Sequence, residues 1–193
     1  MIGRLRRSPL AWVAAALLAC VAGAGIFWFE PWKLVTDQEV AESLTVVPAP
    51  QSPAVTGSQS PAASGSATPA PAAPAVPAVV RQGEFISHEH DTTGVARVVR
   101  AADGSHTLEL AGLDTSNGPD LRVWLSDQPV RAGTAGWRVF DDGEWVELGE
   151  LKGNRGDQTY AIPAGTDLDR LSSVTIWCIR FSVSFGAADL ARP

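Results

Sequence analysis

Cysteine is scarce in this chain: only Cys20 and Cys178 occur in 193 residues, and Cys20 lies inside a long apolar run. No disulfide can therefore form within the region beyond that run. Methionine is confined to Met1, so the usual axial ligand of a blue-copper site is missing. Positive charge is also thin. Beyond Lys33 the chain holds 11 basic and 20 acidic residues, a formal −9, with Lys152 its single lysine. Phosphate recognition needs clustered Lys and Arg, so nucleic acid is excluded as a partner, and anionic lipid headgroups should repel this region as a whole. Absent too are G-x-S-x-G, GxGxxG, Walker, CxxC, CxxCH and HExxH patterns, which leaves no constellation for a hydrolase or a nucleotide-binding enzyme.

What the chain does have begins with a hydrophobic run. Arg4, Arg6 and Arg7 precede Pro9 to Phe29, which contains no charge. About 20 apolar residues at 1.5 Å rise cross a ~30 Å hydrocarbon core. Arginines on one flank predict a cytoplasmic N-terminus, and Trp28, Phe29 and Trp32 fall where interfacial rings collect. A signal-peptidase site at Ala22-Gly23-Ala24, or lipidation at Cys20, competes with an uncleaved anchor. All three readings place the remainder of the chain outside the cytoplasm, and the expectation is a single-pass cell-membrane protein.

The predicted organisation is a basic N-terminus (1–8), a transmembrane signal-anchor helix (9–29), a juxtamembrane segment (30–45), a disordered linker (46–81) and a folded domain (82–193). Thr36 and Glu39 fit a capping box for a short helix reaching Leu44. Val46 to Val80 is Pro, Ala, Ser, Thr, Gly and Val with few other residues and neither charge nor ring, too little apolar bulk to repay ordering. As a stalk its polyproline-like reach is on the order of 100 Å at ~3.1 Å per residue. In the domain, short β-branched and aromatic segments alternate with Gly, Asp, Asn and Pro, which predicts an all-β fold, a single antiparallel β-sandwich or barrel. The predicted strands are 84–86, 95–100, 107–110, 121–125, 137–140, 145–148, 159–162 and 174–185, with Asp141-Asp142-Gly143 as a hairpin turn.

Two places could carry chemistry. Cys178 is the domain's lone thiol, and alternation along one strand from Val174 to Phe185 puts it on a polar face with Arg180, a cation that would favour the thiolate. His88 and His90, two residues apart, would point the same way in an extended chain and could bind a transition metal, with Cys178 or His106 as a third ligand. The plain alternatives are a buried, inert thiol and a solvated arginine.

Gly83-Glu84-Phe85, His90-Asp91-Thr92-Thr93-Gly94, Asn117-Gly118-Pro119-Asp120-Leu121, Leu148 to Asn154, Tyr160-Ala161-Ile162-Pro163 and Val174 to Cys178 together resemble the DM13 domain. That resemblance implies a β-rich, membrane-anchored or extracellular module proposed to transfer electrons through a cysteine, matched here by Cys178. It also implies a histidine matched by His90. The leading expectation is thus a redox or metal-handling module built on Cys178, Arg180 and His90, with His88 as a further metal candidate and an exported redox protein as partner. The competing one is a non-catalytic surface module that recognises a cell-wall component or exported protein through Trp124, Trp137 and Trp145.

Overall fold

A computed structural model describes residues 9–47 and 76–193. The predicted cytoplasmic segment 1–8 and most of the predicted linker lie outside the described residues. Helix α1 spans Pro9–Phe29 and, with no buried residue, presents its apolar side chains outward all round. By length and composition it suits a membrane crossing, as an anchor or as a signal sequence.

The rest of the described chain is β structure. Ten strands form two five-stranded sheets: β1 (Glu39–Ala41), β8 (Arg155–Ile162), β5 (His106–Asp114), β4 (Thr93–Arg100) and β2 (Ala78–Glu84) in one, and β3 (Ile86–Ser87), β10 (Val183–Asp189), β9 (Ser173–Cys178), β6 (Leu121–Ser126) and β7 (Trp145–Glu150) in the other. Every pairing is antiparallel except β1 with β8. The sheets bury one shared core, to which Ala96, Val98, Leu108 and Leu110 contribute from the first and Val123, Leu125, Val174 and Ile176 from the second. The expected all-β sandwich is thus the observed one.

Two expected elements are replaced, one for a burial reason and one for backbone hydrogen bonds. Residues 137–140 form no strand. The loop between β6 and β7 instead folds over the outer face of the second sheet, where Phe140 is fully buried against Trp124, Trp177 and Ala187. This cover is why β6, read as half-buried, is enclosed on both faces. The helix expected over 36–44 is a strand. The backbone of Gln38 donates to Asn154 Oδ1 at 2.7 Å and accepts from Arg155 N at 3.2 Å, so β1 gains ladder bonds that a short isolated helix could not match.

Strand β1 also determines how the segment after α1 meets the domain. Thr45 N donates to Glu109 Oε1 at 2.8 Å, while Arg97 donates to Thr45 O at 3.1 Å. Beyond the undescribed stretch the chain returns as β2 in the same sheet, starting at Ala78 within the span first assigned to linker. Both flanks of that stretch therefore belong to the domain. Residues 30–38 join α1 to β1. Gly156 makes the close approach feasible: its φ of 96° suits glycine, and a Cβ there would collide with Val40 O.

Glu42 locks this attachment. Its carboxylate accepts from Lys152 Nζ at 2.7 Å and from Thr159 N and Oγ1, both at 2.7 Å, which holds its pKa down at about 2 from an ordinary 4.5. A depressed carboxylate stabilises fully above its unfolded pKa and loses that contribution as pH falls towards the folded value. Glu42→Gln should therefore lie below the parent in melting temperature at pH 7 and converge with it as pH falls from about 4.5 to about 2, followed by circular dichroism of the detergent-solubilised full chain. Parallel curves would show that Glu42 does not hold β1.

Candidate functional site around Cys178

The run from Val174 to Phe185 is a tight hairpin, not one strand. After Cys178 a 3-10 turn covers Ile179–Phe181, Ser182 adopts the left-handed region at φ 47°, and β10 returns with Val183 opposite Cys178 and Ser184 opposite Trp177. Arg138 Nη1 clamps the reversal by donating to Phe181 O at 2.8 Å and Ser182 O at 3.1 Å. Alternation stops at the turn. Cys178 therefore joins Val174 and Ile176 on the inner, apolar face, fully buried, and the polar face expected for it does not exist.

Burial pushes the Cys178 thiol above its ordinary pKa, and hydrogen bonding from the backbone at Phe181, Asp120 and Arg180 offsets only part of that rise. At neutral pH the group is a protonated thiol. The Arg180 side chain points elsewhere: its guanidinium donates to Trp28 O and lies over the Trp28 ring, 5.3 Å from the centroid. What Arg180 offers the sulfur is its backbone.

The two histidines diverge, because residues 88–90 bend where the His-x-His reading needs an extended chain. His88 is buried on the outer face of the second sheet. Its Nε2 faces Arg131 O at 3.1 Å and must donate, since a carbonyl only accepts, which leaves Nδ1 to accept from Ser184 Oγ at 2.7 Å. Thr175 Oγ1 completes the chain by donating to Ser184 Oγ at 2.8 Å. Both ring nitrogens are thus occupied, and burial lowers the His88 pKa, which favours this neutral form. His90 instead packs against Phe185, ring centroids 3.9 Å apart and planes tilted by 34°. His106 starts β5 in the other sheet. Among the described residues no group of three His, Cys, Asp or Glu side chains converges as a metal site.

Two features escaped sequence reasoning. A cleft of about 370 Å³ lies between Asn117–Leu121 and Glu150–Asn154, closed on one side by Lys33 and Gln38. It reaches Leu121, the cross-strand partner of Cys178. The two loops that line it are both segments on which the resemblance rested, but nothing in their spacing said that they meet. The second feature is an aromatic stack: Trp145, 42% exposed, lies flat on Trp124 at 4.0 Å and 4°, and Trp124 stacks on Trp177 at 5.3 Å. Trp124 and Trp177 come from adjacent strands, so only the β6–β9 register could have paired them.

A family model described as "Electron transfer DM13" matches residues 84–190. The chain belongs to the DM13 family. No curated protein and no solved structure matches it. The DM13 match takes in the whole second sheet with Cys178, and β4, β5 and β8 of the first. Strand β1 lies outside the matched residues.

The Thr175–Ser184–His88 chain ties β9, β10 and the covering loop together on the face behind the thiol. Ser184→Ala would leave His88 Nδ1 buried without its donor, at a cost of about 1–3 kcal/mol. Urea unfolding should show that loss with an unchanged m-value; stability within about 0.5 kcal/mol of the parent, the usual range for inconsequential substitutions, would count against the assigned tautomer.

Proposed function

We propose that this protein is a single-pass, membrane-anchored DM13 module whose domain faces away from the cytoplasm and whose electron-transfer chemistry runs through Cys178. The arginines before α1 support the orientation. The observation that carries the redox assignment is the position of Cys178, the domain's lone thiol, at the point where β9 ends and the Ile179–Phe181 turn begins. Shifting that short turn exposes the sulfur without parting the sheets.

A lone thiol needs an outside partner. The step best suited to it is exchange with the disulfide of an exported redox protein: Cys178 gives its proton to water, its thiolate attacks one partner sulfur, a mixed disulfide forms, and the second partner sulfur leaves as thiolate. The Arg180 and Phe181 backbone stabilises the sulfur anion as it forms. His90, packed beside the start of β10, helps hold the same reversal in place. A metal route through Cys178, His90 and His88 is less favoured, because both His88 nitrogens already have partners.

Alkylation tests the thiol. In a Cys20→Ser background, Cys178 should react in the native protein faster than global unfolding allows, through local opening of the turn. The rate should climb until pH exceeds the ordinary thiol pKa of ~8.5. Labelling only at the global unfolding rate would remove Cys178 from the mechanism. Trp145 supports a second reading, a binding platform for a wall polymer or exported protein, since its exposed indole is backed flat by Trp124. Under that reading Trp145→Ala abolishes retention on isolated cell walls, whereas Cys178→Ser leaves it intact.

A further inference from the structure

We infer that the Ile179–Ser182 turn docks on the outer lipid surface, so that the DM13 domain lies against the bilayer with Cys178 directly behind the docked turn. This rests on the reading of α1 as a retained anchor.

The tether is short. From Phe29 to Glu39 the chain spans at most ~36 Å when fully extended, and a 3-10 helix over Pro31–Val35 shortens it. Residues 33–38 are also fixed to the domain: Lys33 Nζ donates to Pro119 O at 3.4 Å, Asn117 Nδ2 to Thr36 O at 3.1 Å, and Asn154 Nδ2 to Asp37 Oδ1 at 2.9 Å. These contacts keep the segment after α1 against the domain and shorten the reach of the tether.

The turn has the right chemistry for that position. Ile179 and Phe181 are 39% and 40% exposed, unusual for large apolar side chains at a strand reversal that has a core beside it. Phe181 stacks with Phe29 at 6.2 Å, and Arg180 sits over Trp28. Phe29 and Trp28 end the membrane helix, at the level where rings and snorkelling arginines meet headgroups. The turn therefore shares the depth of the interfacial belt. Arg138, clamping the turn, adds a second cation in a domain that is otherwise acidic. Lipid, not a soluble protein, is the occupant that this continuity with α1 selects. A thiol placed there opens towards partners held in or on the same membrane.

The test uses the full chain, Cys20→Ser and Cys178→Ser, carrying one environment-sensitive fluorophore at Phe181→Cys, with Ile179→Cys as a second site should the first perturb folding. Ala164→Cys, exposed beyond the end of β8, is the reference. The protein is reconstituted in phosphatidylcholine vesicles containing one part in five phosphatidylglycerol and a headgroup-nitroxide lipid. Docking predicts quenching at 181 or 179 several-fold stronger than at 164, independent of protein density. Equal quenching at both ends overturns the docking while leaving the anchor intact. Fluorophore self-quenching that rises with protein density would replace lipid by a second copy. Failure to float with the vesicles overturns the anchor, and the docking with it.

Discussion

The position of the chain reversal after Cys178 decides the character of this domain. Had β9 run on to Phe185, strand alternation would have carried the Arg180 side chain onto the inner face beside Val174, Ile176 and Cys178. Because a 3-10 turn and a left-handed Ser182 intervene, the odd and even positions exchange partners: Cys178 meets Val183 inside, while Trp177 meets Ser184 outside. Trp177 and Phe185 stay buried on either side, whereas Ile179, Arg180 and Phe181 at the turn itself project outward, Ile179 and Phe181 39% and 40% exposed. One reversal therefore produces both a sealed, protonated thiol and an apolar, cationic tip one residue away.

A second constraint comes from β1. Three residues are a short strand, and alone their ladder bonds with β8 would be marginal. They hold because the side chains around them serve backbone groups: Asn154 takes the Gln38 N–H and donates to Thr115 O at 2.8 Å, and Glu42 takes the Thr159 N–H. Each of these polar groups has a partner, the condition under which such a network adds to stability. The same seam joins the segment that follows α1 to the family domain, so hydrogen bonds hold residues 37–45 against β8 and β5.

The sandwich was legible because its strands alternate: Leu121, Val123 and Leu125 announce an inner face without help from any neighbour, as do Leu108 and Leu110. So was the helix, from Pro9 to Phe29. What stayed hidden depends on contacts far apart in sequence. Glu39-Val40-Ala41 is too short and too polar to declare a strand, and becomes one only because Gly153 and Gly156 leave room for it. Trp137 to Phe140 alternates like a strand, yet the exposed outer face of β6 and β9 offers Phe140 a deeper burial than any edge pairing. For the site, the identity of Cys178 was readable and its surroundings were not, since a single missed turn inverts the face on which every later residue lies.

Sealing and function pull in opposite directions at Cys178. In an oxidising space a lone exposed thiolate would be consumed by any passing disulfide, whereas a buried thiol with a raised pKa is inert to most of them. Under the proposed reading, selectivity and reactivity coexist because opening is local, at the Ile179–Ser182 turn, which is held by Arg138, by the Ile179 N–H donating to Asp120 O at 3.0 Å, and by the contacts of Arg180 and Phe181 with Trp28 and Phe29. Whatever touches that turn thereby governs the thiol. In the same proposed reading, docking of the turn on lipid and release of the sulfur act on the same few residues, so the two events are coupled.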